Sequence, residues 1–394
     1  MHIDADVQAL FDQLVAWRRD FHMHPEIGME EHRTAQVVAG ILRELGYAVQ
    51  EGVGGTGVVG LLENGSGPVI LSRVDMDALP IQEATGAPYA SQIPGMMHAC
   101  GHDAHMAIGL GVATWMMRHR DAWRGTLKLI FQPGEEGMNG AEWMVKDGVL
   151  ENPRPDAVLA IHVWNPEPVG TFAVTPGPVM AAAESWNVVI TGKGGHGASP
   201  EQTVDPIVTA AFIINMLQTV VSRNVSPLKT AVVSVGMVAG GDAFNVIPPT
   251  VEMRGTIRTF DPDVRELVLR RTQAVIESAA RAMGAEATVK LHPLTPAVTN
   301  DAKVTALVQG VVRDLFGEAA LRTDERTMGS EDAAFFLQEV PGCYFFIGSG
   351  FTDREAMPHH NPHFDIDERA LVNGVAAVVE SLKRLMPVAA KLED

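Results

Sequence analysis

Short, continuously apolar segments alternate with helix-like segments along the first part of the chain. Residues 69–74, 126–131 and 157–163 are apolar runs of strand length, and residues 105–119 carry apolar side chains at helical spacing. A strand reads as a continuous apolar run when helices cover both faces of a parallel sheet. The pattern therefore predicts an α/β layer with a mainly parallel central sheet.

The alternation changes character near residue 180 and resumes after Pro293. Between these points, strand-like segments are interspersed with two helix-like segments, 204–222 and 265–283. This order indicates two βαβ-like halves with some antiparallel pairing, packed as a compact α+β unit. We therefore predict one α/β domain interrupted by a smaller inserted α+β domain, with the boundaries 1–182, 183–293 and 294–394.

Acidic residues outnumber basic ones by 48 to 30, which gives a formal net charge of −18. Binding of nucleic acid requires a clustered positive surface, and no run of lysine and arginine supplies one. The N-terminal segment MHIDADVQALFDQLVAW lacks the basic region and cleavage site of a signal peptide. No apolar run approaches the ~20 residues of a membrane span, and two cysteines cannot form a disulfide framework. We expect a cytoplasmic protein without a nucleic-acid or membrane partner.

The segment Gly52–Gly57 matches the dinucleotide-binding pattern G-x-G-x-x-G. That pattern binds a pyrophosphate only where a helix begins directly after the glycines. Here a strand-like run, 58–62, follows instead. We therefore interpret the glycines as a turn between two strands and give a nucleotide site little weight.

Five side chains of metal-binding type lie in four short segments: Cys100, His102, Glu136, His162 and His360. Thiolate, imidazole and carboxylate together suit Zn²⁺, and other first-row divalent ions accept the same ligands. Five ligands exceed what one tetrahedral ion with an open position needs, so two ions sharing a water fit the number better.

Position along the predicted strands supports this interpretation. Glu135 and Glu136 follow the strand 126–131, His162 ends the strand 157–163, and Asp77 follows the strand 69–74. Because ligands bind beyond the carboxyl ends of strands in α/β sheets, these residues meet in one crevice if the strands are neighbours.

Adjacent carboxylates in an extended turn point in different directions. Glu136 can therefore bind metal while Glu135 faces the water as a general base, a division of roles that suits hydrolysis. The alternatives are that Cys100 is a small buried apolar residue and that the two glutamates form a solvated loop. We interpret His359 and His363 as structural.

The sequence resembles the zinc aminoacylase and carboxypeptidase superfamily, in the branch of hippurate hydrolase and the N-acyl-L-amino-acid amidohydrolases. It is also similar to the indole-3-acetyl-amino-acid hydrolases. The resemblance covers nearly the whole chain, through the segments RRDFHMHPE (18–26), RVDMDALP (73–80), HACGHDAH (98–105), GEEG (134–137), GGHGASP (194–200), FNVIP (244–248), GSED (329–332) and HNP (360–362).

The resemblance implies a catalytic α/β domain and an inserted lid domain that dimerises, so we expect a homodimer or higher homo-oligomer. It implies that Cys100, His102, Glu136, His162 and His360 hold two divalent ions, Zn²⁺ first, with Mn²⁺, Co²⁺ or Ni²⁺ as alternatives. Glu135 would be the general base for the water that the ions share, and Asp77 would orient a ligand.

The resemblance also implies roles for three residues of the inserted domain. His196 would stabilise the tetrahedral oxyanion, while Asn245 and Arg258 would bind the substrate carboxylate. An exposed loop histidine and a surface arginine are the alternatives for His196 and Arg258.

The implied reaction is hydrolysis of a small N-acyl amino acid to a carboxylate and a free amino acid. A dipeptidase or carboxypeptidase with the same metal site is the alternative. A second alternative is a metal-dependent binding or scaffold protein that catalyses no reaction.

Overall fold

A computed structural model describes residues 3–387, so Met1, His2 and residues 388–394 lie outside the described part. The first two residues of the N-terminal segment MHIDADVQALFDQLVAW therefore lie outside the described residues. The chain forms two compact units. The larger comprises the described residues up to Val179, then Val298–Arg326, then the described residues from Asp332 onward; the smaller comprises Met180–Ala297 and Thr327–Glu331.

Helices and strands are interspersed along the whole described chain. Up to residue 180 they are α1 Ala5–Gln8, α2 Phe11–Met23, α3 His32–Glu44, β1 Ala48–Val53, β2 Gly57–Asn64, β3 Val69–Asp75, α4 His102–Arg118, β4 Gly125–Gln132, α5 Glu135–Met138, α6 Gly140–Lys146, β5 Ala157–Pro168, β6 Phe172–Ala173 and β7 Gly177–Met180. Next come β8 Ala182–Thr191, β9 Gly195–His196, α7 Pro206–Asn224, β10 Ala231–Ala239, β11 Val246–Ile247, β12 Thr250–Thr259, α8 Pro262–Ala282 and β13 Glu286–Thr295. The last are β14 Val298–Asn300, α9 Ala302–Phe316, β15 Leu321–Arg322, α10 Ala334–Glu339, β16 Gly342–Gly350 and α11 Arg369–Leu385.

The larger unit is built on one sheet with the strand order β1-β2-β4-β3-β5-β16-β6-β15. Its centre is parallel, because β3 pairs with β4 and β5, and β5 pairs with β16, all in the same direction. This confirms the α/β fold and the mainly parallel sheet expected from the sequence. It also makes β4, β3 and β5 direct neighbours, so their carboxyl ends lie side by side.

Helix α4 is the central helix of this unit. Every residue from His102 to Met116 is buried. Gly109 allows the close approach to the sheet, because a Cβ there would lie 3.0 Å from a Val74 methyl carbon and 3.1 Å from the Phe131 ring. The first turn of α4 is therefore fixed close to the ends of β3 and β4.

The smaller unit contains a four-stranded antiparallel sheet in the order β10-β12-β8-β13. In each half a helix links two strands that run parallel to each other but are separated by a strand of the other half. Helix α7 joins β8 to β10 in this way, and α8 joins β12 to β13. The two βαβ-like halves expected from the sequence are therefore interleaved into one sheet.

Helix α7 also corrects one expectation. By length and composition alone it could cross a membrane, with a mean hydropathy of 1.3, whereas the sequence analysis predicts no run of this kind. This is weak evidence for a span, since Ile213, Leu217 and Val220 of the helix belong to the core of the smaller unit.

The segment 52–57 covers the end of β1, the turn at residues 54–56 and the start of β2, and the two strands pair antiparallel. No helix begins there, as expected, and the feature required for a dinucleotide phosphate is missing at this turn.

Candidate metal centre

The candidate ligands are presented by the ends of adjacent elements. His102 is the first residue of α4, and Glu136 lies in the single turn α5 directly after β4. His162 lies in β5 two residues beyond Ala160, the last residue paired with β3. The strand was expected to end near residue 163, but it continues to Pro168 because β16 still pairs with it there.

Gly101 explains how Cys100 and His102 can lie so close to His162 on β5. Its φ of 89° is in the left-handed region, and a Cβ at this position would come within 2.4 Å of a methyl carbon of Val163. A larger residue would push the two candidate ligands away from His162.

The structure brings all five sequence-identified candidate ligands together. Cys100 Sγ lies 3.4 Å from His162 Nε2. Ligand atoms of Cys100, His102 and Glu136 all lie within 4.8 Å of one another. His360 Nε2 lies 3.0 Å from Glu136 Oε1.

Asp77 contacts two of these residues. His102 Nδ1 lies 2.9 Å from the Asp77 backbone oxygen and 3.2 Å from its Oδ1, so this ring nitrogen is the donor. Asp77 Oδ2 accepts a hydrogen bond of 2.9 Å from the backbone N–H of Glu136. His102 Nε2 is buried and has no hydrogen-bond partner among the described residues. A divalent cation fits this donor set. A histidine ligand usually binds the metal through one ring nitrogen while the other ring nitrogen donates to a carboxylate or a backbone oxygen.

The protonation of these groups is linked to cation binding. Burial, followed by the charges of Glu136 and Glu135, holds the pKa of the Cys100 thiol well above its usual value. Burial alone would lower the pKa of His102, but the Asp75 carboxylate and then Asp77 raise it to about 10. Burial, then His105 and His359, holds the pKa of His162 well below its usual value. A cation in this position would favour the thiolate and displace the proton from His102.

Glu135 begins α5, and its surroundings fix its backbone. The preceding Gly134 has a φ of 56°, and its N–H donates to the buried carboxylate of Glu31 over 2.8 Å. The other Glu31 oxygen accepts from the Thr56 hydroxyl. Glu135 is half-buried, and its charge contributes to the raised pKa of the Cys100 thiol. Glu31 was not identified from the sequence, because a single glutamate before a helix carries no signal of this contact.

Two further groups adjoin the cluster. His105 lies 2.6 Å from Asp75 through Nδ1, and its Nε2 accepts a hydrogen bond of 2.8 Å from the Val163 N–H. His359, interpreted from the sequence as structural, has a ring nitrogen within 4.8 Å of ligand atoms of Cys100 and His162. The sequence showed these histidines beside the candidate ligands but did not indicate these contacts.

The remaining sequence-identified residues lie in the smaller unit. His196 on β9 is paired with Val246 on β11, and the neighbouring Gly197 N–H donates to the Asn245 backbone oxygen over 2.8 Å. The side chains of His196 and Asn245 are exposed. Arg258 is half-buried on β12, and its Nη1 has no hydrogen-bond partner among the described residues. Burial lowers its pKa, against the attraction of Glu184.

Comparison with known proteins gives a consistent result. A family model described as peptidase family M20/M25/M40 matches residues 71–384. An N-acetyl-L-cysteine deacetylase of Bacillus subtilis is 41% identical over 384 residues, covering 97% of this chain and 90% of the relative. An IAA-amino acid hydrolase of Arabidopsis thaliana is 38% identical over 371 residues, covering 93% of this chain and 84% of the relative.

A solved structure is similar over the same extent. The crystal structure of a Bacillus subtilis protein described as a dinuclear metal-binding peptidase of the M20 family matches with a TM-score of 0.84 and 34% identity. The match covers 96% of this chain and 99% of that one.

Proposed function

The chain belongs to peptidase family M20/M25/M40, and we propose that it hydrolyses the amide bond of small N-acyl amino acids. Water is consumed, and the products are a carboxylate and a free amino acid. The observation that carries this proposal is the meeting of a thiol, three imidazoles and a carboxylate beside the carboxyl ends of β3 and β4. Relatives named as a deacetylase and an amino-acid conjugate hydrolase support the substrate class.

We assign Cys100, His102, Glu136, His162 and His360 as the residues that hold two divalent cations. Zn²⁺ is our first choice, because thiolate and imidazole ligands suit it, with Mn²⁺, Co²⁺ or Ni²⁺ as alternatives. When bound, the cations supply polarisation of the amide carbonyl and a lowered pKa for the attacking water.

The protein groups around this centre have separate tasks. Glu135 accepts the proton of the attacking water and returns it to the nitrogen of the departing amino acid. Asp77 keeps the His102 ring in the tautomer whose Nε2 faces the cluster, since the other ring nitrogen contacts Asp77. In the smaller unit, His196 stabilises the oxyanion, while Asn245 and Arg258 bind the substrate carboxylate. The unpartnered Nη1 of Arg258 supports an anion-binding role.

The domain predicted over 183–293 is assigned as a lid and dimerisation domain. One face of α7 supports association with a second copy, because the apolar side chains Ile207, Val208, Phe212 and Met216 are between 40% and 52% exposed along it. We place the homodimer in the cytoplasm, which agrees with the net charge of −18 and the two free, buried cysteines.

Release of free amine from N-acetyl and N-benzoyl amino acids and from dipeptides tests the reaction. The purified protein is assayed as isolated, after chelation, and after each divalent ion is restored. We expect metal-dependent release from the acyl amino acids. Release from the dipeptides alone would assign the chain as a peptidase, the word used for the similar solved structure. Binding of metal without release from any amide would favour a non-catalytic binding protein.

A further inference from the structure

The segment 357–365, which carries His360, contains no helix or strand. His360 itself has a φ of 64°, in the left-handed region that is unfavourable for a non-glycine residue. Its side chain is 51% exposed, so burial alone does not fix it. Other contacts must therefore hold the segment in place.

One buried side chain, Asn165 on β5, holds both ends of this segment. Its Nδ2 donates one hydrogen bond of 2.9 Å to the Met357 backbone oxygen and another of 2.9 Å to the Asp365 backbone oxygen. Its Oδ1 accepts a hydrogen bond of 2.7 Å from the Ser349 hydroxyl. Both amide hydrogens are therefore used to close the segment, and Ser349 fixes which way the amide faces.

The middle of the segment is held near the same residue. The Asn165 backbone N–H donates to His359 Nε2 over 3.3 Å. The His359 ring stacks on Trp164, with centroids 5.0 Å apart. The His360 N–H donates to the Ala99 backbone oxygen over 2.8 Å, next to Cys100. Asn165 also lies three residues after His162 on the same strand, so the segment is tied to a second candidate ligand.

We propose that Asn165 is a positioning residue of the metal centre, which orders His360 before a cation binds. The inference rests on the proposed role of His360 as a ligand. Without Asn165, ordering of the segment would oppose metal binding, since fixing the backbone of a flexible segment costs conformational entropy. We expect the loss of Asn165 to weaken the binding of one of the two cations about 10–100-fold. Removal of a group that orients a metal ligand typically lowers metal affinity by this factor.

Asn300 provides a matched control. It is 4% exposed, against 5% for Asn165, and its Nδ2 also donates to two backbone oxygens, those of Thr175 and Tyr344, over 2.9 and 2.8 Å. Neither of these partners belongs to the segment that carries His360. Asn300→Ala should therefore reproduce the loss of stability without the effect on metal binding.

The test is a Co²⁺ titration of the metal-stripped full chain, followed by equilibrium dialysis and the visible absorption spectrum. The wild type should bind two Co²⁺ ions, and His360→Ala should lose tight binding of one. Asn165→Ala should weaken the binding of that same ion about 10–100-fold and alter the absorption spectrum. Asn300→Ala should keep the wild-type affinity and spectrum.

Each failure has a separate meaning. If the wild type binds fewer than two ions, or His360→Ala binds both normally, the proposed ligand set is wrong and this inference falls with it. If those controls behave as expected but Asn165→Ala matches Asn300→Ala, the positioning role alone is wrong. If Asn165→Ala fails to fold, Ser349→Ala is tested in its place. It should weaken the binding of the same ion by a smaller factor. Unchanged binding of both ions in Ser349→Ala would contradict the positioning role.

Discussion

Arg18 and His22 of the segment RRDFHMHPE belong to a buried charge cluster beside the candidate metal centre. Arg18 is fully buried and donates to Asp103, Asp365 and Glu368 over 2.9, 2.9 and 3.1 Å. Asp103 follows His102 on α4, and Asp365 ends the segment that carries His360. Arg18 therefore links the two parts of the chain that present these candidate ligands.

His22 belongs to the same cluster and should make stability depend on pH. Its Nδ1 lies 2.8 Å from Asp103, and its Nε2 lies 3.4 Å from Glu83. Burial and the charge of Arg18 lower its pKa, but Asp103 and Glu83 outweigh them and raise it above 6.5. Its neighbours also include the rings of Tyr89 and His98. The stabilisation is complete below pH 6.5 and is lost as the pH rises through the raised pKa.

We expect His22→Gln to lower the free energy of unfolding most at about pH 6 and less at about pH 9. Urea unfolding of wild type and variant across this range, both metal-stripped, measures the difference. A difference that is constant, or that grows with pH, would contradict a protonated His22.

The candidate ligands could be recognised from the sequence because cysteine, histidine and glutamate cluster in short segments. Asn165 and Glu31 could not be recognised in this way. Their partners are backbone atoms of distant segments, at Met357, Asp365 and Gly134. A single asparagine or glutamate carries no signal until the fold brings those atoms to it.

At the scale of elements, the existence of the helices and strands was predictable and several ends were not. Helix α4 was expected to begin at residue 105, but it begins at His102, because the polar first turn faces the buried cluster rather than solvent. Apolar side chains recur at helical spacing over residues 4–21 and predict a single helix, whereas the structure divides this stretch into α1 and α2. Periodicity reports which face is buried, but it does not report where hydrogen bonding stops.

Two helical glycines should respond oppositely to alanine. A Cβ on Gly40 of α3 would meet nothing within 4 Å, so Gly40→Ala should stabilise the fold by about 0.4–1 kcal/mol. A Cβ on Gly111 of α4 would lie 2.6 Å from Leu14 and 2.7 Å from Val375, both fully buried, so Gly111→Ala should cost about 1–3 kcal/mol. Urea unfolding compares the two. Equal effects would show that α2, α4 and α11 pack together more loosely than these distances indicate.

At the scale of the whole molecule, the interruption of one α/β unit by a second sheet followed from the change of pattern along the sequence. The interleaving of β8, β10, β12 and β13 did not, because strand pairing between distant segments leaves no local trace. The roles of the inserted domain as lid and dimerisation surface remain predictions.

The exposed face of α7 allows the dimer to be tested. Phe212→Glu places a charge on an apolar side chain that is 52% exposed, so folding should be unaffected while association is lost. Sedimentation should give a dimer for the wild type and a monomer for the variant. Asn224→Glu, at the last residue of the same helix, serves as the charge control. A monomeric wild type, or a variant that still dimerises, would remove α7 from the interface.

The adjacent glutamates of α5 give the most direct test of metal-dependent hydrolysis by this site. Metal content and amine release from an N-acyl amino acid are measured together for Glu135→Gln and Glu136→Gln. Glu135→Gln should retain two ions per chain and lose about 10²–10⁴-fold in turnover, as expected for a general base. Glu136→Gln should lose an ion. Near wild-type turnover in Glu135→Gln, or full metal content in Glu136→Gln, would contradict the roles assigned to them.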